Sequence, residues 1–143
     1  MLEDNIELKG TLQFFIGEEL VQTVHNTVVT VGKQYLAGII ASGAAYAATW
    51  MQLGTGTNAV VVGDTDVQTP TGTRVQGSLS SSGTSFIVDS TFPAGNPATQ
   101  QNITEAGLYT ASSAGTLFAR SVFPSVTKPT TDALRIVWTI TVA

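Results

Sequence analysis

The chain has no cysteine and a single histidine, His25. Without thiols, disulfide frameworks, zinc-thiolate centres and thiol catalysis are excluded, while the redox compartment stays open. His25 lies in a β-branched stretch, and no motif supplies the nucleophile and orienting acid of a triad, so a structural or surface role is expected. GxSxG is absent, and GTGTNAVVVGD lacks the lysine of a phosphate-binding loop, which leaves its glycines as turn residues. Nor does any apolar run approach the length of a membrane span. The N-terminus, MLEDNIELKG, is acidic where a secretory leader is basic, so the expectation is a soluble protein with no export address.

Charge is the other scarcity. Charged residues make up 11% of the chain, against roughly 25% in ordinary soluble domains, and none occurs from Gln34 to Gly63. The surface must then be largely Ser, Thr, Gly, Ala and Asn. Charged groups are depleted at interface cores because their desolvation is costly, so such a surface suits a protein covered by neighbours in an assembly. A net charge of −4, with six basic residues scattered along the chain, lacks the basic stripe that nucleic-acid binding needs.

What is present is alternation. The 143 residues suffice for one domain with a real core, needing neither metal nor disulfide. Ile103–Tyr109, Gly115–Lys128 and Leu134–Val142 each alternate apolar and polar residues with period two and read as strands. Folding about Ser112 and Ser113 sets Tyr109 opposite Thr116 and Glu105 opposite Arg120. That predicts a cross-strand ion pair contributing roughly 0.2–1 kcal/mol, valuable chiefly for fixing register. In the last strand, Leu134, Ile136, Trp138, Ile140 and Val142 share the core face. Upstream, Ile6–Ile16 and Leu20–Val31 flank a Gly17–Glu19 turn as an N-terminal hairpin.

From Thr30 the period becomes helical through Tyr35, Leu36, Ile39 and Ile40, predicting one short helix over residues 31–42 with Thr30 as N-cap and Gly43 as terminator. Gly32 and Gly38 weaken it, yet small residues let a helix approach a sheet closely. Ala48–Leu53, Arg74–Leu79 and Ser85–Phe92 complete seven or eight strands, with the stretch after Leu53 mostly loop. The pattern predicts a mainly β, single-domain antiparallel sandwich or jelly-roll-like fold over residues 1–143, with residues 1–5 as a mobile arm. Its expected core includes Trp50, Phe86, Leu108, Leu117, Phe123, Ile136, Trp138 and Ile140.

Few residues offer chemistry. Asp64 and Asp66 in GDTDV match only the start of a calcium loop and lack its closing Glu, so turn formation is their expected role. Glu105 and the other carboxylates show no obvious glycosidase pair, although sequence spacing cannot reveal one built from distant strands. Trp50, Trp138, Tyr35, Tyr46 and Tyr109 are candidates for a sugar platform, with core packing the more economical account. No cofactor is expected.

Taken in order, NTVVTVGKQYLAGII (residues 26–40), WMQLGTGTNAVVVGDTDV (residues 50–67), TEAGLY (residues 104–109), GTLFARSVFPSVTK (residues 115–128) and LRIVWTITV (residues 134–142) resemble small virion structural proteins of tailed bacteriophages, variously labelled decoration, cement or tail-fibre proteins. The resemblance implies a β-rich, non-enzymatic particle component made in the host cytoplasm and placed on the outside of the virion. The expected role is capsid decoration, with the phage major capsid protein as partner and a dimer or trimer at a symmetry axis; no nucleic acid or membrane is implied. The alternative is a tail, baseplate or fibre-attachment component with a receptor- or glycan-binding surface on the loops around Gly54–Pro70 and Pro93–Asn102. A β-sandwich glycan hydrolase is a remote third reading.

Overall fold

A computed structural model describes residues 6–43 and 47–143. The expected arm Met1–Asn5, and Tyr46, lie outside the described residues. Among those described, the elements run β1 (Leu8–Ile16), β2 (Glu19–Val28), α1 (Thr30–Ser42), β3 (Trp50–Gly54), β4 (Pro70–Gln76), β5 (Ser78–Ser82), β6 (Ser85–Phe92), β7 (Gln101–Tyr109), β8 (Leu117–Lys128) and β9 (Leu134–Val142).

All pairings are antiparallel, in the order β4-β3-β7-β8-β2-β1-β9-β6-β5. The sheet folds over at β2, which pairs with β1 from Glu19 to Asn26 and with β8 only at Thr27 and Val28. The result is a mainly β sandwich that nearly closes as a barrel. Its two ends, β4 and β5, are consecutive in the chain and separated only by Gly77. The expected single strand Arg74–Leu79 is therefore two strands in different halves of the sandwich, which brings the count to nine.

Period-two patterning decides the interior. Leu134, Ile136, Trp138 and Ile140 are fully buried, whereas Val142 at the end of the same face is exposed. They meet Leu12 and Phe14 of β1, Phe92 of β6, Leu108 of β7 and Phe123 of β8 in one core. Phe14 and Phe123 meet with ring centroids 4.6 Å apart and planes tilted by 49°. Leu117 belongs to a second, smaller cluster with Val29, Val67 and Tyr109. Two expected core residues are only half-buried: Trp50 packs on the rim of the smaller cluster, and Phe86 on the rim of the larger one.

The helix ends at Gly43 as its sequence predicts, with φ +67° and its N–H on the Ile39 carbonyl. Its start differs. Val29 is the cap and provides no side-chain bond; the amides of Val29 and Thr30 bond instead to the Phe118 and Val62 carbonyls. A tertiary contact has replaced the local cap. Gly32 is the buried helical residue, and a Cβ there would lie 2.2 Å from the Phe118 carbonyl oxygen, so its absence lets α1 seat on β8. Ile40, expected on the packed face, is 77% exposed.

Candidate functional site

Residues 55–69 leave β3 and return to β4, closing where Thr55 N–H bonds to the Thr69 carbonyl and Gly54 faces Pro70. This loop is built over a charged group that the sandwich has buried completely. Glu105 stands on β7 opposite Gly54, fully enclosed. Its Oε1 accepts from Gln68 N–H at 2.7 Å and from Arg120 Nε and Nη2 at 3.2 and 3.0 Å. Its Oε2 accepts from Gly56 and Thr69 N–H, both at 2.7 Å. A carboxylate is costly to bury alone; three backbone donors and a guanidinium offset that cost through charge-assisted bonds. Gly56 is required because a Cβ there would come within 2.2 Å of Oε2.

Arg120, on β8, carries the network outward. Nη1 donates to Asp64 Oδ2 at 2.9 Å and Nη2 to the Asn58 carbonyl at 3.2 Å. Asp64 Oδ2 also accepts from Val61 N–H at 3.1 Å, so its expected turn-forming role holds locally and is joined to a long-range ion pair.

Tyr109 makes the second anchor. Its hydroxyl donates to Asp66 Oδ1 and accepts from Val67 N–H at 2.9 Å. Burial, and then the hydrogen bond to the Asp66 carboxylate, push this phenol well above its ordinary pKa. Arg74 lies over the ring, 3.6 Å from its centroid, and donates to the Ala111 and Ala114 carbonyls at 2.8 Å.

The tip held by these anchors is apolar. Val61 and Val62 are each 58% exposed, and the Val62 carbonyl accepts from Thr30 N–H at 2.7 Å, tying the tip to the start of α1. The arrangement is a rigid loop presenting two valines, supported underneath by buried charge.

The structure thus brings Glu105 and Arg120 together as predicted, with two corrections. Their register differs: Glu105 faces Val122, Arg120 faces Gly107, and Tyr109 faces Leu117 rather than Thr116, with irregularities between Ile103 and Glu105 and between Leu108 and Tyr109. Their environment differs too, since the pair is internal and not the modest cross-strand contact expected. Both Glu105 oxygens are engaged away from solvent, leaving no free lone pair presented to a substrate. Among the described residues, no three His, Asp or Glu side chains converge on a possible metal position. His25 is exposed on β2, opposite Thr11.

The described aromatics do not form one platform. Trp138 is in the main core, Tyr109 and Trp50 belong to the smaller cluster, and Tyr35 lines an apolar cleft of about 440 Å³ with Leu36, Ile39, Leu79, Phe86 and Phe118. Sequence reasoning did not find Gly56, Gln68, Arg74 or Tyr109 as partners in the loop anchors. The glycines of GTGT were the available signal, since a chain passing directly over a buried carboxylate needs a residue without a side chain.

The chain matches no protein-family model, no curated protein and no solved structure.

Proposed function

We propose that this protein is a non-enzymatic structural component of a tailed-phage virion, with capsid decoration as its role. The observation that carries the reading is the use of charge: the buried Glu105 and Arg120, with the partly buried Asp64, are spent on fixing a loop whose tip displays Val61 and Val62. A rigid apolar tip on a sparsely charged surface loses little conformational entropy and needs little charge desolvation when it docks. Cations are likewise engaged inside the chain. Arg74, Arg120, Lys128 and Arg135 all bond to groups within the fold, which leaves no basic stripe for a polyanion. The resemblance in residue order described above supplies the virion context and the major capsid protein as partner.

A second reading, a tail or fibre-attachment component, is favoured by one observation. Thr73, just beyond the first loop, exchanges two hydrogen bonds with Asn96 of the second, so the two candidate receptor loops converge beside β4.

Co-sedimentation of the purified protein with separated phage heads and tails distinguishes them. Decoration predicts saturation on heads at a number following shell symmetry, and loss of binding by Val61→Asp with Val62→Asp at unchanged melting temperature. Saturation at a few copies on tails alone selects the second reading. Binding to neither overturns both.

A further inference from the structure

The two ends of the nine-stranded sheet are finished differently. At β4, Pro70 has no N–H to offer, Gly72 turns the strand with φ +70°, the register against β3 shifts between Met51 and Leu53, and Asn96 occupies both backbone groups of Thr73. These devices block an edge against further pairing. At β5, Ser78–Ser82, there is none: no proline, no charge and no bulge against β6, and every residue is exposed.

The register fixes which groups of β5 face outward. Ser82 and Ser85 flank a two-residue turn opened by Gly83 at φ +58°. In such a hairpin the closing pair exchanges both hydrogen bonds, as do the pairs Ser80 with Ile87 and Ser78 with Asp89. The N–H and C=O groups of Leu79 and Ser81 therefore point away from β6, and no described residue bonds to them.

We propose that β5 is a self-association edge: two copies of this chain pair their β5 strands antiparallel about a two-fold axis at Ser80. Leu79 of each copy then faces Ser81 of the other, and their outward backbone groups exchange four hydrogen bonds. The occupant is a second copy for two reasons. The segment is self-complementary, with hydroxyls where opposed like charges would repel. Because β4 is blocked, each subunit offers one open end, so the pairing closes at a dimer instead of propagating as a fibre. Leu79, 51% exposed, borders the apolar cleft lined by Tyr35, Leu36, Ile39 and Phe86. This inference stands apart from the virion reading, since it concerns the isolated protein.

Sedimentation velocity of the full chain from about 1 µM upward, with amide exchange followed by NMR, tests it. A dimer is expected, with Leu79 and Ser81 amides becoming protected as concentration rises. Ser81→Pro removes an N–H that bonds to no described residue, so it should weaken the dimer at least about tenfold at unchanged melting temperature. Ser80→Lys places like charges across the axis and should weaken it in a salt-dependent way; it decides the matter should Ser81→Pro fail to fold. A monomer at every concentration overturns the proposal, as does a dimer that survives the folded variants or one in which those two amides stay unprotected.

Discussion

Arg120 grips Glu105 through both Nε and Nη2 although the two residues are not opposite each other in the sheet: Gly107 faces Arg120, and Val122 faces Glu105. The guanidinium reaches past a side-chain-free position to a carboxylate that also collects three loop amides. Truncating Arg120 leaves the buried Glu105 carboxylate with its three loop amides but without the guanidinium that balances its charge, so Arg120→Met should cost about 3–5 kcal/mol in urea unfolding. The exchanged pair Glu105→Arg with Arg120→Glu should not recover stability, because an arginine cannot accept the N–H groups of Gly56, Gln68 and Thr69. Full recovery would mean that the pair acts only through its charges.

The last strand was legible to the residue, from Leu134 to Val142, because strict alternation with one buried face leaves no choice of register. The contact between Glu105 and Arg120 was legible while its register was not, since the strand irregularities flanking them leave no trace in the apolar pattern. Gly77 divides β4 from β5 within a stretch that still reads as one strand; its N–H bonds to the Thr49 carbonyl, and a Cβ would press on Ser90 and Val88. Asp64 and Asp66 looked like turn formers, and Asp64 is one. Their other partners, Arg120 and Tyr109, are 56 and 43 residues away, beyond any local signal.

Tyr109 should make stability fall on the alkaline side. Its folded-state pKa lies above the ordinary 10.0, so above that pH the unfolded chain loses the proton first. The unfolded state then binds fewer protons, and stability declines as pH rises. Lys128 acts in the opposite sense: burial lowers its pKa from 10.5, so its charged form is a liability that is relieved as pH rises through the lowered pKa toward 10.5. Comparing wild type with Tyr109→Phe isolates the tyrosine. The variant should lose about 1–2 kcal/mol at pH 8, through loss of the phenol's bonds to Asp66 and to Val67 N–H, and show a shallower decline above pH 10. Parallel stability curves for the two proteins would refute the assignment.

Two helix glycines should respond with opposite signs. At Gly38 a Cβ meets nothing within 4 Å, so Gly38→Ala should stabilise by up to about 1 kcal/mol through helix propensity. At Gly32 the added Cβ would meet the backbone of Phe118 at 2.2 Å, and backbone cannot swing aside as a side chain does. Gly32→Ala should therefore destabilise by roughly 1–3 kcal/mol despite the same propensity gain. Thermal melts of both variants check the contrast, and equal shifts would show that α1 does not depend on its close seat on β8.

Asn96 tests whether the β4 edge is closed by design of the side chain or simply by its proline. Its Oδ1 accepts from Thr73 N–H at 3.0 Å and its Nδ2 donates to the Thr73 carbonyl at 3.1 Å, as a neighbouring strand would. The contact is exposed, so Asn96→Ala should cost only about 1 kcal/mol, water replacing the amide at both groups. The larger effect should be on association. With Thr73 uncovered, β4 becomes a second open end of the sheet, and a subunit with two open ends can extend a chain where one with a single open end stops at a pair. Light scattering should then reveal species beyond the dimer for Asn96→Ala, and these should disappear when Ser81→Pro closes the opposite edge. If Asn96→Ala stays the size of wild type, Pro70 and the Gly72 turn are sufficient to block that end, and the amide of Asn96 serves only to hold the two loops together.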